Sequence, residues 1–299
     1  MTFEYDGDNF SFELDGNRLI GCQWVPEKHK IRYVMIFFHG LGAFVTINRS
    51  YFEKILSDGG VIFGTDHHGH GRSPGERGYG STEMLHSEMS FLLHRASILF
   101  PNAPVFLYGH SMGGAAVLSY VLSNIPNTYS LEGVIVEAPW ISDTDNIENS
   151  IAHRILGKCG RFLFPSLSID TGDGISKTSY PQSFIEKYVK SKLPHDYITP
   201  KLYASAIEMR KITWEKMTQW PKRLPLLFMQ GAQDMSLSVQ RNLIWCDKMR
   251  DILGDKMRVA YHKDAEHAML RKESGIIVLS EVVDFINFCL RRTGSFNPI

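Results

Sequence analysis

The 299-residue sequence has few cysteines, no excess of either charge and no long apolar run. Its 32 basic residues balance its 32 acidic ones, so it lacks the positive excess that neutralises phosphates, and we expect no nucleic-acid partner. No CxxC pair occurs, which argues against a disulfide framework and against the common structural zinc motifs. No run reaches about eighteen apolar residues, so we expect no membrane-spanning helix.

The N-terminal sequence MTFEYDGDNF is acidic and polar, unlike a signal peptide, and we expect a cytosolic protein. An apolar share of 43% is ample for a large core. Short apolar runs alternate with helical patterns, which predicts a mostly parallel sheet flanked by helices. The eight predicted strands are 10–14, 19–25, 33–38, 61–65, 105–109, 133–138, 225–231 and 258–262. The predicted helices are 49–58, 83–100, 112–125, 239–253 and 275–291.

Two departures from this alternation define the domain organisation. The first two strands flank Asp15-Gly16-Asn17, a sequence typical of a hairpin. Between 141 and 224 we predict helices and loops without a strand, which is too long for a simple connection. We therefore predict a helical cap subdomain at 141–224, inserted after the sixth strand. Segments 1–140 and 225–299 then form the domain that contains the sheet.

The motif GHSMGG, residues 109–114, lies between a predicted buried strand and a predicted helix. This GxSxG pattern is typical of a sharp turn that exposes the hydroxyl of a nucleophilic serine, here Ser111. The glycines are needed because larger side chains would collide with the neighbouring backbone. The sequence therefore predicts covalent catalysis by Ser111.

A serine nucleophile needs a base and an acid that orients the base, in the chain order serine, acid, histidine. Asp234 and His267 follow the seventh and eighth strands, at the sheet edge where open α/β sheets build their sites. We predict that Asp234 is the acid and His267 the base. Alternatives for the acid are Asp143 and Glu266, and alternatives for the base are His262 and His110.

The oxyanion hole requires two N–H groups that point at the developing negative charge. We expect one from Met112, directly after the nucleophile, and one from Leu41 in the loop after the third strand. Gly40 and Gly42 allow the backbone conformation of that loop, and we expect Gly40 to lie against the substrate. His39 is expected to order the loop by hydrogen bonding.

The stretch TDHHGHGRS, residues 65–73, has three histidines beside an aspartate, a composition that also suits a metal site. Zinc requires a converging fourth ligand and supporting hydrogen bonds, and serine chemistry requires no metal. We therefore expect no metal and no organic cofactor. Instead, Asp66, His70 and Arg72 are expected to tie this stretch to the loop that contains Leu41.

Together these motifs resemble those of monoglyceride lipases, which are serine hydrolases of the α/β-hydrolase fold. The resemblance rests on FFHGLG, TDHHGHGRSPGERG, FLYGHSMGG, MQGAQD and DAEHAML, and runs from about 31 to 291. The second stretch is similar to the monoglyceride lipase and lysophospholipase branch. The resemblance implies the triad Ser111, Asp234 and His267, oxyanion donors Leu41 and Met112, a helical cap, and an acyl-chain tunnel beneath the cap.

Two features bear on the substrate and on membrane contact. Glu137 ends the sixth strand, where the lipases have neutral residues, and is a candidate for binding the substrate; the alternative is a carboxylate satisfied behind the site. Segment 147–165 is a basic amphipathic pattern. It indicates either a cap helix that contacts a membrane surface or one that packs on the catalytic domain.

The sequence thus predicts a serine carboxylester hydrolase that cleaves small lipid esters such as monoacylglycerols or lysophospholipids. The alternatives are a serine peptidase or amidase, an acyltransferase, and a non-catalytic binding protein on the same fold. The oligomeric state is left open.

Overall fold

The computed structural model describes residues 5–27, 30–123, 130–143, 159–171, 191, 193–271 and 274–294. Eight strands form one sheet: β1 (Asp8–Leu14), β2 (Asn17–Trp24), β3 (Tyr33–Phe38), β4 (Gly60–Asp66), β5 (Val105–His110), β6 (Leu131–Glu137), β9 (Leu226–Gly231) and β10 (Met257–His262). Two further strands, β7 (Ile169–Asp170) and β8 (Tyr197–Ile198), pair separately.

The helices are α1 (Arg49–Ser57), α2 (Thr82–Leu99), α3 (Met112–Leu122), α4 (Pro200–Glu215), α5 (Val239–Leu253) and α6 (Ser274–Thr293). A helical turn covers Arg161–Leu163. Short 3-10 turns cover Val45–Asn48, Met217–Gln219, Gly254–Lys256 and Met269–Arg271. None of the helices in the described residues has the length and apolar character needed to cross a membrane.

The strand order in the main sheet is β1-β2-β4-β3-β5-β6-β9-β10. The strands β1, β2 and β4 pair antiparallel, and all later pairs are parallel. The predicted mostly parallel, eight-stranded sheet is therefore confirmed. Parallel pairing brings the carboxyl ends of β3, β5, β6, β9 and β10 to one edge, where the predicted site residues lie.

The central strands are continuous apolar runs because both faces of the sheet are covered. In β3, Val34, Ile36 and Phe38 point to a core shared with α2, α3, α4 and α5. Tyr33, Met35 and Phe37 point to the opposite core, shared with α1 and α6. All six are buried. In every central strand, alternate residues therefore point to the same side of the sheet.

The predicted hairpin joins β1 and β2 through a two-residue turn. Asp15 and Gly16 both have positive φ, 50° and 74°, which is the backbone of a type I′ turn. Glycine adopts this conformation without strain, and aspartate tolerates it better than most residues do. Asn17 Nδ2 donates to Asp15 O at 3.0 Å and reinforces the turn.

The predicted insertion contains β7, β8 and α4 among its described residues. The prediction of no strand there was wrong, because strands of two residues are too short to show a periodic pattern. Helix α4 begins at Pro200, whose fixed φ suits the first turn, and the Thr199 hydroxyl accepts from Leu202 N. Leu202 and Met209 of α4 pack in the same core as α3. The boundaries of a separate cap remain a prediction.

Candidate active site

Ser111 lies at a sharp turn between β5 and α3. Its φ of 54° is rare for a residue with a side chain, so the turn is strained. A Cβ on Gly109 would lie 2.4 Å from Gly113 O, and one on Gly113 would lie 2.3 Å from Phe38 O. The two glycines are therefore required by close backbone approach, which is why the motif spacing is informative.

The structure brings Ser111, His267 and Asp234 together. His267 Nε2 lies 2.9 Å from Ser111 Oγ, and His267 Nδ1 lies 2.8 Å from Asp234 Oδ2. A carboxylate accepts from Nδ1–H, so Nε2 is left free to accept the serine proton. The side chains of His267 and Asp234 are 15% and 0% exposed, which keeps most water away from this contact.

Asp234 is held by more than His267. Its Oδ1 accepts from Ser236 N at 2.9 Å and from Leu237 N at 3.1 Å. Burial alone would raise the pKa of the Asp234 carboxyl, but His267 and the hydrogen bonds from Ser236 N and the Gln230 side chain outweigh it and hold the pKa below its usual value. The carboxylate therefore stays ionised and available to orient the imidazole.

A buried hydrogen-bond chain that the sequence did not reveal continues behind Asp234. Gln230 Nε2 donates to Asp234 Oδ2 at 3.1 Å, and Asn242 Nδ2 donates to Gln230 Oε1 at 2.9 Å. Ser142 Oγ donates to Asn242 Oδ1 at 2.7 Å. The chain connects the first residues after β6 to the acid. Its only sequence signal is Gln230, a polar residue inside an otherwise apolar strand.

The alternative acids and bases have other partners. Asp143 pairs with Arg210 and accepts from Trp140 Nε1 at 2.6 Å. His262 Nε2 lies 2.8 Å from Glu281 Oε2. His110 Nε2 lies 3.3 Å from the His267 carbonyl oxygen. Glu266 is half-buried beside His267 in the chain.

The loop after β3 lies against the nucleophile. A Cβ on Gly40 would lie 3.1 Å from Ser111 Cβ, so Gly40 lies directly beside the serine. Leu41 follows it, and Gly42 has a φ of 69° that favours glycine. Met112 begins α3, where first-turn N–H groups lack an intrahelical partner. The structure thus places Met112 directly after Ser111 in the chain and Gly40, the residue before Leu41, beside Ser111 in space.

A cluster of buried imidazoles supports this loop from behind. His39 Nδ1 donates to Gly40 O at 2.8 Å, and His39 Nε2 accepts from His67 N at 3.1 Å. His67 Nδ1 lies 2.9 Å from Glu88 Oε1. The His70 ring packs near the rings of His39 and His195, with centroid distances of 5.5 and 4.6 Å. His67, rather than the expected His70, therefore makes the hydrogen bond to the loop that contains Leu41. His70 contributes packing.

Asp66 makes the second tie between the two stretches. Its carboxylate accepts from Val45 N at 2.8 Å, just beyond the Leu41 loop, and from Arg72 N at 2.8 Å. Tyr5 Oη donates to it at 2.7 Å. Among the described residues, no group of three or more histidine, cysteine or acidic side chains is arranged to hold a metal ion.

Removing His70 should loosen the support of the oxyanion loop without revealing any metal dependence. We expect His70→Ala to lower kcat by about tenfold, because small displacements of reacting groups are costly. EDTA should leave the activity of both the wild type and the variant unchanged. Ester hydrolysis with and without EDTA measures both effects; loss of activity that zinc restores would contradict this expectation.

The same cluster predicts acid sensitivity of the fold. Burial, and then repulsion from Arg77, lower the pKa of His195 to about 4. The unfolded chain therefore binds more protons between pH 6.5 and 4, so stability is full above 6.5 and is lost as pH falls towards 4. From pH 7.5 to 5 this one group should remove about 2 kcal/mol from the free energy of unfolding.

Urea unfolding at the two pH values tests this expectation. His195→Gln should reduce the loss of stability between pH 7.5 and 5, while His94→Asn, at an exposed histidine, should leave it unchanged. His39 and His70, whose pKa values burial also lowers well below normal, account for acid sensitivity that remains. An equal pH dependence in wild type and His195→Gln would contradict the assignment.

Glu137 does not face the substrate side of Ser111 but lies behind it. Like Ile135, it points to the α1 and α6 side of the sheet, and it is 1% exposed. Its carboxylate accepts from Tyr108 Oη at 2.6 Å and from Met269 N at 2.6 Å. Contacts inside the protein therefore satisfy it, which matches the alternative interpretation rather than the predicted substrate contact.

Known proteins resemble this chain both in sequence and in fold. The chain is 23% identical to a monoacylglycerol lipase of Mycolicibacterium smegmatis over 91% of its length and 94% of that protein. It is 31% identical to a putative monoglyceride lipase of Schizosaccharomyces pombe over 71% of its length and 56% of that protein. A soluble variant of the Saccharomyces cerevisiae monoglyceride lipase, solved with a substrate analogue, has a similar fold, with a TM-score of 0.77, 17% identity, and coverage of 96% of this chain and 98% of that one.

The model of the Hydrolase_4 family, described as serine aminopeptidase S33, matches residues 29–274. This match covers most of the chain, including all three predicted triad residues. The predicted α/β-hydrolase fold and the predicted resemblance to monoglyceride lipases are both confirmed. The chain belongs to the serine aminopeptidase S33 family of α/β-hydrolases and is a serine hydrolase.

Proposed function

We propose that the protein is a carboxylester hydrolase that cleaves small lipid esters through an acyl-enzyme intermediate, with Ser111, His267 and Asp234 as its triad. The hydrogen-bonded series from Ser111 Oγ through His267 to Asp234 carries the proposal. Each residue comes from a different loop at the carboxyl edge of the sheet, so only the folded chain assembles the series.

The proposed reaction begins when Ser111 Oγ attacks the ester carbonyl carbon and His267 Nε2 takes the hydroxyl proton. Asp234 stabilises the imidazolium that forms. The N–H groups of Leu41 and Met112 bind the oxyanion, a contribution of about 3 kcal/mol per donor in other enzymes. His267 returns its proton to the leaving alcohol. Water then attacks the acyl-enzyme with His267 again as the base, and the free acid leaves.

The substrate proposal comes from the relatives. The proteins of Mycolicibacterium smegmatis and Schizosaccharomyces pombe described above are a monoacylglycerol lipase and a putative monoglyceride lipase. We infer a monoacylglycerol or lysophospholipid as the substrate, and we expect neither a metal nor an organic cofactor to take part in the reaction.

A fluorophosphonate probe tests the nucleophile directly, because it phosphonylates only activated serines. The expected result is a single labelled site at Ser111, located by mass spectrometry after digestion. Ser123→Ala, a serine at the end of α3, is the matched control and should label normally. Wild-type protein that stays unlabelled while a known serine hydrolase is labelled would refute the proposed function.

A second candidate is an aminopeptidase or amidase, favoured by the description of the family. An aminopeptidase would need a group that binds the substrate amine, and the predicted candidate, Glu137, is buried. Parallel assays with 2-monooleoylglycerol, a lysophosphatidylcholine and aminoacyl p-nitroanilides separate the two. Faster turnover of the anilides would replace the ester proposal with the amidase one.

We also propose that the protein is cytosolic and contacts lipid surfaces through exposed apolar residues in the predicted insertion. Phe162, Leu163, Phe164 and Leu167 are 73%, 69%, 62% and 54% exposed, beside Arg161. Apolar side chains flanked by cations suit the boundary of a lipid bilayer. Most of the predicted amphipathic segment 147–165 lies outside the described residues, so these four side chains carry the proposal.

Flotation with vesicles of phosphatidylcholine and phosphatidylserine tests this contact. The double variant Phe162→Ser, Leu163→Ser should lose vesicle binding and keep its activity on a water-soluble ester. Ile98→Ser, at an equally exposed apolar residue on α2, is the matched control and should bind normally. Equal binding by both variants would exclude this patch as the contact.

A further inference from the structure

Glu137 lies between the elements that supply the proposed triad. Within the sheet its Cα pairs with His110 of β5 and with Met229 of β9. Strand β5 leads directly into Ser111, and β9 leads into the turn that contains Asp234. A residue at this position can therefore contact several parts of the site at once.

The Glu137 side chain holds the segment that follows His267. Its Oε1 accepts from Met269 N at 2.6 Å and from Leu270 N at 3.3 Å. These N–H groups belong to the first two residues of the 3-10 turn Met269–Arg271. Because Met269 is two residues after His267, this contact fixes the chain that carries the imidazole.

The Glu137 main chain holds the nucleophile. Ser111 N donates to Glu137 O at 3.0 Å, and Trp140 N donates back to Ser111 O at 2.9 Å. The next residue, Ala138, has a φ of 41°, a conformation that costs energy for a residue with a side chain. One residue thus bonds the nucleophile through its carbonyl and the base-bearing segment through its carboxylate.

We propose that Glu137 is a positioning residue that sets the distance between His267 and Ser111. The proposal rests on the proposed function, because it assumes that these two residues react together. A fully buried carboxylate is costly unless it is hydrogen-bonded, so its three described hydrogen bonds are strong constraints on the groups they join. Losing the constraint on Met269 and Leu270 should let the imidazole drift from its reactive position.

The test compares side chains of similar length that differ as acceptors. Glu137→Met has no oxygen, so its kcat and its rate of fluorophosphonate labelling should fall by about 100-fold, the cost of a displacement near 1 Å. KM should stay within about twofold, because the loss affects the reacting groups rather than substrate binding. Glu137→Gln keeps an acceptor oxygen for Met269 N and should stay within about fivefold of wild type.

Tyr108→Phe is the matched control because it removes the hydrogen bond from Tyr108 Oη to Glu137 and leaves the bonds from Met269 N and Leu270 N. Its melting temperature should fall, while its labelling rate should stay within about threefold of wild type. If Glu137→Met is insoluble, Glu137→Asp replaces it. This variant keeps the charge but withdraws the oxygens by about 1.5 Å, and its labelling rate should fall at least about tenfold.

Two results would overturn the proposal. One is wild-type labelling by the soluble substituted variant, Glu137→Met or Glu137→Asp. The other is an equal loss of rate in Tyr108→Phe, which would show that general packing is responsible. Both differ from failure of the proposed function, in which wild-type protein itself would not be labelled at Ser111.

Discussion

Replacing Ser111 with alanine should lower kcat by roughly 10⁶-fold while leaving the protein folded. The substitution removes only the attacking oxygen, which lies 2.9 Å from His267 Nε2, and leaves the turn glycines and the backbone hydrogen bonds in place. A rate roughly 10³–10⁴-fold above that of the uncatalysed reaction in water should remain, because the oxyanion donors and substrate binding do not depend on the hydroxyl.

Hydrolysis of a p-nitrophenyl ester measures kcat, and a thermal melt shows whether the variant is folded. Ser123→Ala should keep wild-type kcat, since the Ser123 hydroxyl lies at the end of α3 and donates to Ser119 O of that helix. A Ser111→Ala enzyme with more than a hundredth of wild-type activity would place the nucleophile elsewhere.

Asp234→Asn should lower kcat by roughly 10⁴-fold. The asparagine amide can present its N–H₂ to His267 Nδ1, which favours the tautomer that carries its proton on Nε2. That nitrogen then cannot accept the proton of Ser111. The backbone bonds from Ser236 and Leu237 can still reach the amide oxygen, so the geometry should survive and the loss should appear mainly in kcat.

Asp264→Asn is the matched control, because Asp264 is exposed in the loop after β10 that also carries His267. It should leave kcat unchanged. If Asp143→Asn reduced kcat more than Asp234→Asn did, the acid would have to be reassigned to the residue that pairs with Arg210.

The sequence was informative where a local pattern fixes the structure. The apolar runs located the central strands, because a strand buried on both faces must be continuously apolar. Strand β1 is largely exposed, and the hairpin sequence Asp15-Gly16-Asn17 helped to locate it and β2. Gly109 and Gly113 marked the turn at Ser111, because any Cβ there would collide with backbone. Asp234 and His267 could then be chosen because each follows a strand that ends at the same edge of the sheet as the strand before Ser111.

The sequence could not predict contacts between distant segments. His195 lies 125 residues after its ring partner His70, and no periodic pattern connects them. The direction of Glu137 depends on which helices cover each face of the sheet, and the residues of β6 alone do not show this. Hence the predicted substrate contact was replaced by hydrogen bonds behind the site.

The approach of His195 to Gly42 limits how the predicted insertion can diverge or be exchanged. A Cβ on Gly42 would lie 1.9 Å from the His195 carbonyl oxygen, and His195 N donates to Gly42 O at 3.0 Å. The chain that leaves β6 can therefore take many routes, but it must return over the same glycine. A transplanted insertion that carries a new specificity should retain residues 193–199 of this chain. Without them, the loop that contains Leu41 would lose its contact with His195.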